Sequence, residues 1–461
     1  MVAGAVTLVL ILGAGGYDYH RDELYFRLLG QHPQWGYVDE PPFTPLMARV
    51  AIEVFGDTVW AMRVPAAILL GLSALVAAAI AREVGGGPTA QALAASGTLG
   101  LVPLSAAHVT STADADLLVW LGVLYFVVRA LSTGSQRAWL GAGLVTGLGL
   151  YNKLLVVLLL ACLGAALLLV GPRRVLLSPW LWAGAGVALL VGLPNLIYQV
   201  ANDFPQATMA SALAEDKGEA SRILLLPFQV LLLAIPPIWV AGIVTSLRDR
   251  RLRALPVAYG IMVVLVFVTA GQPYYTFGLL FGLYAIGAVP TERWLAGHRP
   301  RQIVLGAALV LLTAIGVVSA LPVLPPAKVA SNGTVADQIG WREYVGQIAG
   351  VYAALPPEDR QRAVLFTSNY GEAGAIARYG TGLPPVYSGH NELHHYGPPP
   401  DDKTVAIVVY GSAPAGFGAC AAHASLHNSY GVDNEEVGAR VYVCRLTEPW
   451  HTLWPRLQHY D

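Results

Sequence analysis

The chain has 461 residues, of which 55% are hydrophobic and only 12% are charged. Soluble globular proteins usually carry about 25% charged residues, so this composition predicts a polytopic membrane protein. The formal net charge of -1 argues against a nucleic-acid partner, because nucleic-acid-binding domains are usually strongly basic. Three cysteines are too few for a metal cluster or a disulfide-dense scaffold, and we expect no organic cofactor.

Apolar segments follow one another along the first 325 residues. A helix needs roughly 17 to 25 residues to cross a hydrocarbon core of about 30 Å. The predicted segments are 2–16, 59–81, 89–107, 113–132, 138–151, 154–171, 178–199, 222–246, 254–271, 274–290 and 302–322. The sequence therefore predicts a transmembrane domain over residues 1–325 with about 11 transmembrane helices.

Basic residues in alternate loops predict the orientation in the membrane. Lys and Arg beside membrane spans stay on the cytoplasmic side. The loops concerned contain Arg82, then Arg129 and Arg137, then Arg173 and Arg174, then Arg248, Arg250, Arg251 and Arg253, and then Arg293, Arg299 and Arg301. The N-terminus is therefore predicted to be cytoplasmic, and the chain after residue 322 to be extracytoplasmic.

Residues 17–58 form an acidic loop after the first apolar segment. The loop contains Asp22, Glu23, Asp39 and Glu40. Acidic side chains this close to a membrane bundle are costly to keep unless they meet water, a cation or a substrate. We therefore predict that this first external loop is catalytic.

Asp22 and Glu23 are the predicted catalytic residues. A carboxylate can act as general base for an acceptor hydroxyl when it is positioned next to the proton and has a suitable pKa. The alternative is a helix N-terminus, where acidic residues interact favourably with the helix dipole. The second acidic pair, about 17 residues downstream, favours the catalytic interpretation.

Asp39 and Glu40 precede two prolines and are therefore predicted to lie on irregular backbone. Carboxylate oxygens are the usual ligands of hard divalent cations such as Mg and Mn. With a nitrogen ligand from His20 or His32, the same residues would suit Zn. A solvated turn is the alternative, since no spacing here is diagnostic of a metal.

Further candidates lie at the outer ends of the predicted helices. The predicted donor- and phosphate-binding residues among them are Asp116, Asn152, Lys153, Tyr274 and Tyr275. Lys153 is a natural partner for a phosphate oxygen, although a lysine in such a turn can also extend toward lipid headgroups. The neighbouring Asp114 fits a helix N-cap and a shared polar cavity equally well.

The composition changes after residue 325, and residues 330–461 are predicted to form a soluble α/β domain. Residues 341–355 have helical apolar spacing, and residues 370–380 resemble a helix that follows a strand. Residues 363–369, 404–410 and 439–445 are rich in β-forming side chains. Cys420 and Cys444 both lie in this region, where a disulfide and two free thiols are both compatible with the sequence.

Several of these motifs resemble a known family in the same order along the chain. HRDELYF, at residues 20–26, resembles the Asp-Glu motif of the protein mannosyltransferases of glycosyltransferase family 39 and of the related bacterial aminoarabinose transferases. GYVDEPPFTPLMAR, DADLLVW, the Asn152-Lys153 pair and PYY resemble recurring elements of the bacterial members. The resemblance covers most of residues 1–320.

This resemblance implies a GT-C fold and a polyprenyl-phosphate-linked sugar as the donor. Asp22 matches the family's proposed catalytic base, and Glu23 lies beside it. Glu40 matches the acidic residue that approaches a divalent metal or the donor phosphate, and Lys153 is a candidate phosphate contact.

Two positions depart from the pattern of the family. Gln272 stands where a lysine commonly precedes the paired aromatic residues, and Pro41 stands where aminoarabinose transferases have a lysine. Phosphate binding is therefore expected to be distributed differently in this chain. The C-terminal domain resembles more loosely the tail of actinobacterial members, through GEAGAI, PVYSGHNE and LWPRLQHYD.

The leading hypothesis is a membrane glycosyltransferase that acts on a protein, lipid or cell-wall glycan acceptor. The first alternative is a transporter or flippase for a lipid or small solute, because polar residues in a bundle also mark translocation paths. That alternative predicts charges near the middle of the spans and two matching halves. The second alternative is an inactive scaffold or sensor that displays the C-terminal domain.

Overall fold

The computed structural model describes residues 1–233, 235–329, 333–412 and 415–460. The first and last residues of the predicted second domain, 330 and 461, lie outside these ranges. Fifteen α-helices make up the N-terminal part among the described residues. They are α1 Val2–Gly13, α2 Arg21–Gln31, α3 Phe43–Phe55, α4 Val59–Glu83, α5 Pro88–Ser96, α6 Leu101–His108, α7 Thr112–Thr133, α8 Ala138–Gly149, α9 Leu155–Leu169, α10 Pro179–Ala201, α11 Pro205–Leu231, α12 Pro236–Arg248, α13 Ala254–Val268, α14 Phe277–Leu295 and α15 Arg299–Ala320.

Each predicted apolar segment contains helical structure, but the lengths of the helices differ from the expectation. Within the described ranges, α4, α7, α10 and α15 are each long and apolar enough to cross a membrane. Two bent pairs raise that number to as many as six: α5 with α6, which are bent by 59°, and the second half of α11 with α12. Four shorter apolar helices are α1, α8, α9 and α13. The number of about 11 crossings therefore stays a prediction.

Local sequence explains why α7 begins where it does. Ser111 has extended backbone, and its side chain accepts a hydrogen bond from the backbone N–H of Ala113. Asp114 accepts a hydrogen bond from the backbone N–H of Ser111 at 2.9 Å, so the two side chains form a capping box. Asp114 is therefore not the N-cap itself but the third residue of the helix, whose side chain caps the backbone N–H of the N-cap Ser111.

The C-terminal part is built on a five-stranded mixed sheet in the order β2-β1-β3-β5-β4. Its strands are β1 Ala363–Thr367, β2 Val386–Ser388, β3 Val405–Tyr410, β4 Ala419–Ser425 and β5 Arg440–Arg445. Its helices are α16 Gly333–Ala336, α17 Trp341–Ala353, α18 Pro357–Gln361, α19 Tyr370–Tyr379 and α20 Trp450–Leu453. Strands β1 and β3 pair in parallel, whereas β5 runs antiparallel to β3 and β4.

The predicted helices over α17 and α19 and the predicted strands β1, β3 and β5 are confirmed. Strands β2 and β4 were not predicted, because β2 has three residues and β4 consists largely of Ala, Ser, His and Cys. A disulfide joins Cys420 and Cys444, which are paired across β4 and β5.

The C-terminal part packs directly on the acidic loop. Helix α19 lies against α2, and one apolar cluster is shared between them. That cluster includes Leu24 and Phe26 from the loop and Trp341 and Ile376 from the C-terminal part. The fold thus places the acidic loop between the helical bundle and the sheet.

Candidate active site

Glu23 is buried in an ion pair with Arg63 of α4. Both side chains are 1% exposed or less. Arg63 donates from Nε to Oε1 at 2.9 Å and from Nη2 to Oε2 at 2.8 Å. The backbone N–H groups of Thr110 and His20 donate to the same carboxylate at 2.9 and 2.8 Å. A carboxylate with four donors and no exposed surface cannot accept a proton from a substrate, so the catalytic role predicted for Glu23 does not fit its position.

Asp22, one residue earlier, is only partly buried. Its side chain is 36% exposed. Oδ1 accepts a hydrogen bond from the hydroxyl of Tyr370 at 2.9 Å, and Oδ2 lies 3.7 Å from Nδ1 of His20. Because successive residues of a helix point about 100° apart, Glu23 can anchor α2 while Asp22 keeps a reachable oxygen.

Asp39 is held from both sides by hydrogen-bond donors. Oδ1 accepts from the hydroxyl of Tyr25 at 3.1 Å, and Oδ2 accepts from the side-chain amide of Asn391 at 3.1 Å. Burial raises the pKa of Asp39 to about 7, and the nearby charge of Glu392 acts in the same direction. The side chain of Asp39 is therefore held in place by one hydrogen bond to each of its oxygens.

Glu40 differs from its neighbour, because its side chain makes no hydrogen bond to another residue within the described part of the chain. Burial is the main reason why the pKa of its carboxyl lies well above the usual value. The negative charges of Asp39 and Asp22 raise that pKa further, whereas the positive charge of Lys153 lowers it. Glu40 thus lies within electrostatic reach of both Asp22 and Lys153.

Lys153 lies in the turn between α8 and α9 and is surrounded by aromatic and acidic side chains. Its Nζ is 3.5 Å from Oγ1 of Thr112 and lies 5.4 and 5.7 Å from the ring centroids of Tyr274 and Tyr275. Burial lowers the pKa of the ammonium, but the interactions with the two tyrosines and with Asp116 outweigh burial, so the pKa is raised. Lys153 is therefore a cation at neutral pH.

Asp116 completes this group on the side of α7. It is half-buried, and its Oδ1 accepts a hydrogen bond from the indole N–H of Trp120 at 3.1 Å. Its negative charge stabilises the Lys153 ammonium. The structure thus brings Asp22, Glu40, Asp116 and Lys153 into one electrostatically linked group, together with the two tyrosines.

Asn152 does not face this group, contrary to the predicted role in phosphate binding. It is 2% exposed, and its amide nitrogen donates to the backbone carbonyl of Thr112 at 2.9 Å. Its amide oxygen accepts from the hydroxyl of Thr44 at 3.1 Å. Both ends of the amide are used to join α3 to α7, so Asn152 is structural and fixes the loop beside Lys153.

The residues of the loop do not fit a metal centre. Within the described residues there is no group of three His, Cys, Asp or Glu side chains that could hold a metal ion. His20 accepts from the backbone of Asp22 and faces Asp337, and His32 packs on the ring of Tyr396. Neither histidine supplies the nitrogen ligand considered for zinc, and both oxygens of Asp39 are already hydrogen-bonded.

The C-terminal part contributes side chains that the sequence did not reveal. Besides Tyr370 and Asn391, Glu392 accepts hydrogen bonds from the backbone N–H of Val38 at 2.9 Å and from the side chain of Gln34 at 3.0 Å. These contacts span more than 340 positions along the chain. Arg63 was also missed, although a lone arginine inside an apolar helix is a signal of a buried partner.

Comparisons with known proteins show similarity to membrane glycosyltransferases. Residues 39–198 match the family described as dolichyl-phosphate-mannose-protein mannosyltransferase. The lipopolysaccharide core galacturonosyltransferase RgtA of Rhizobium johnstonii is 30% identical over 251 residues, which are 51% of this chain and 48% of that protein. The chain therefore spans about half the length of this curated relative.

Solved structures share the fold over nearly the whole chain. The structure of ArnT from Cupriavidus metallidurans superposes on this chain with a TM-score of 0.64 and 15% sequence identity. The match covers 100% of this chain and 98% of the ArnT chain. The mycobacterial arabinofuranosyltransferase AftD superposes with a TM-score of 0.51 and 13% sequence identity. That match covers 97% of this chain and 41% of the AftD chain. The third structure is an oligosaccharyltransferase from Archaeoglobus fulgidus that was crystallised with Zn and sulfate. It superposes with a TM-score of 0.51 and 13% sequence identity, and the match covers 83% of this chain and 62% of the oligosaccharyltransferase chain.

The chain is a multi-pass membrane protein with the GT-C fold. The family match itself is confined to residues 39–198. The resemblance predicted from the sequence motifs is thus confirmed.

Proposed function

We propose that this protein is a membrane glycosyltransferase that moves a sugar from a polyprenyl-phosphate-linked donor to an acceptor hydroxyl. The observation that carries this proposal is the grouping of the exposed Asp22 carboxylate with Glu40, Asp116 and the Lys153 ammonium. The matched family and RgtA support the sugar-transfer activity. The structure of ArnT bound to undecaprenyl phosphate, at a TM-score of 0.58 and 16% identity, supports the class of donor.

In the proposed reaction, Asp22 accepts the proton of the acceptor hydroxyl. The acceptor oxygen attacks the anomeric carbon from the face opposite the phosphate, and the bond from that carbon to the phosphate oxygen breaks. The products are a glycoside of inverted configuration and free polyprenyl phosphate. Proton transfer to a positioned base of this kind typically contributes about 100-fold to 10,000-fold in rate.

Lys153 stabilises the departing phosphate in this proposal. A fixed ammonium near the developing negative charge lowers the barrier, because it needs no reorganisation during the reaction. Tyr274 and Tyr275 hold the ammonium and line the entry to the headgroup site. Asp116 balances the charge of Lys153 from the side of α7.

No step of this mechanism is assigned to a divalent metal. Glu40 offers an oxygen that could hold one, but the described residues give it no companion ligands for a metal. We propose instead that Glu40 contacts hydroxyl groups of the donor sugar. The zinc found with the archaeal oligosaccharyltransferase is a property of that protein.

We propose that the site faces the extracytoplasmic side. The basic ends of the helices lie at the opposite end of the bundle, where Arg129 pairs with Glu83 at 2.8 Å and Arg251 donates to the carbonyl of Ser132 at 3.0 Å. Basic residues mark the cytoplasmic side. The hydrogen bond from Tyr370 to Asp22 supports a position of the C-terminal domain on the same side as the site.

The transporter alternative is not favoured. It requires charged side chains near the middle of the spans, whereas the charged candidates lie in the first loop, at the start of α7 and between α8 and α9. The fold shared with ArnT also does not support it.

The test is sugar transfer in membranes that contain the wild-type protein or a variant, with a panel of radiolabelled polyprenyl-phosphate sugars. We expect transfer with one donor class and its loss in Asp22→Asn. Glu53→Gln is the matched control, because Glu53 is an exposed carboxylate of the same loop that pairs with Arg49 on the surface. Equal activity in Asp22→Asn would overturn the role of Asp22, and absence of transfer with every donor would overturn the proposed activity.

A further inference from the structure

Helix α19 of the C-terminal part approaches α2 unusually closely. A Cβ atom added at Gly371 would lie 2.9 Å from Cβ of Arg21, and one added at Gly374 would lie 2.7 Å from Cβ of Leu24. Only glycine at these two positions allows the contact. The GEAG segment therefore explains how the first turn of α19 comes to lie beside Asp22.

Tyr370 is the first residue of α19 and is fixed in this interface. Its ring stacks on Tyr25 at 4.5 Å between centroids and on His390 at 4.7 Å. The guanidinium of Arg21 lies 5.0 Å from the centroid of the ring. Three neighbours thus hold the phenol in one orientation, with its hydroxyl 2.9 Å from Oδ1 of Asp22.

The phenol can only act as a donor here. Burial and the negative charge of Asp22 hold the pKa of Tyr370 well above its usual value. The hydroxyl therefore keeps its proton over the physiological pH range. A hydrogen bond donated to a carboxylate stabilises the charged form and lowers its pKa.

We propose that Tyr370 is a positioning residue for Asp22, so that the C-terminal domain completes the active site of the bundle. The inference rests on the proposed function, in which Asp22 accepts the proton of the acceptor. The Tyr370 hydroxyl is bonded to Oδ1 of Asp22, which leaves Oδ2 of Asp22 to accept the proton of the acceptor hydroxyl.

The same domain holds the second acidic segment. Asn391 donates to Asp39, and Glu392 accepts from the backbone of Val38. Removal of this domain would therefore release both acidic parts of the loop. The groups that face Asp22 are His20 and Arg21 from its own segment, Glu40 from the loop, Asp337 from the segment before α17, and Tyr370.

The test compares Tyr370→Phe with Tyr379→Phe in the full-length protein. Tyr379 lies on the same helix, and its hydroxyl donates to Asp18 rather than to Asp22. The Phe substitution at position 370 keeps the stacked ring and removes only the donor. The readout is kcat for sugar transfer as a function of pH, together with the thermal unfolding temperature of each variant.

We expect Tyr370→Phe to move the acidic limb of the pH profile upward by roughly half to one pH unit, because a donor to the charged form is lost. We expect kcat at neutral pH to fall by roughly 3-fold to 10-fold, whereas Tyr379→Phe keeps the wild-type limb. If the acidic limb of the pH profile of kcat stays at its wild-type position in Tyr370→Phe, the inference is overturned. This holds whether kcat is normal or is reduced equally at every pH. If Asp22→Asn is as active as wild type, the proposed function itself fails, and the two failures are therefore distinguishable.

Discussion

The carboxylate of Glu23 and the guanidinium of Arg63 are joined by two hydrogen bonds of 2.9 and 2.8 Å, with both side chains shielded from solvent. This pair ties the start of α2 to α4. Because α2 also carries Asp22, the pair fixes the backbone from which the proposed base projects. Glu23 therefore contributes to the site by holding the backbone of Asp22 in place.

Arg63→Met should destabilise the protein strongly, by about 3–5 kcal/mol, because it leaves a buried carboxylate without its cation. The measurement is the thermal unfolding temperature in detergent. Arg49→Met is the control, since Arg49 pairs with Glu53 on the surface at 2.8 Å and such pairs contribute about 0–1 kcal/mol. Equal unfolding temperatures for the two variants would contradict the anchoring role.

Lys153→Met should lower kcat for sugar transfer by roughly 100-fold or more, because the leaving phosphate loses a preorganised positive charge. Lys153→Arg keeps the charge and should retain part of the activity. Lys403→Met serves as the control, because Lys403 is a half-buried lysine of the C-terminal part that donates to the carbonyl of Gln361. A Lys153→Met enzyme with wild-type kcat would remove Lys153 from the mechanism.

A pair of buried carboxyls, Glu372 and Glu436, makes the stability of the protein depend on pH. Burial raises the pKa of Glu372 from 4.5 to about 7. The folded state therefore keeps a proton that the unfolded chain releases between pH 4.5 and 7. The free energy of unfolding should be highest below this window and fall through it as pH rises, by an amount on the order of 3 kcal/mol.

Glu372→Gln should flatten this dependence, because a neutral amide replaces the buried carboxyl that keeps its proton in the folded state. The measurement is the thermal unfolding temperature between pH 5 and pH 8. Glu358→Gln, an exposed carboxylate of the same domain, should leave the slope unchanged. A Glu372→Gln variant with the wild-type slope would show that the pair does not hold the proton.

The close contact of α19 with α2 gives a separate prediction. Gly374→Leu should push the two helices apart and reduce transfer by roughly 10-fold, because Tyr370 then no longer reaches Asp22. Gly346→Leu is the matched control, since a Cβ at Gly346 on α17 would meet nothing within 4 Å. If both variants have wild-type activity, docking of α19 is not needed for the reaction.

The sequence predicted the parts of the molecule that depend on local pattern. Apolar runs indicated the helices, β-branched runs indicated β1 and β3, and Asp22 with Lys153 stood out as charges beside apolar helices. It could not distinguish Asp22 from Glu23, because only the partner Arg63 shows which of two adjacent carboxylates is buried. Asn152 was misjudged for the same reason, since its two partners come from α3 and α7.

The contribution of the C-terminal part to the site could not be predicted from the sequence. Tyr370 meets Asp22 across 348 positions of the chain, and no periodicity encodes such a contact. Gly371 and Gly374 look like ordinary flexible residues in the sequence, although the structure requires them for close docking.

Asp22→Asn allows donor binding to be measured separately from chemistry. The measurements are the affinity of the purified variant for polyprenyl phosphate and its rate of sugar transfer. We expect an affinity within about threefold of wild type and a rate reduced by roughly 100-fold or more, because Asp22 takes the acceptor proton and does not hold the phosphate. Equal losses of affinity and rate, or a wild-type rate, would contradict the assignment of Asp22 as the base.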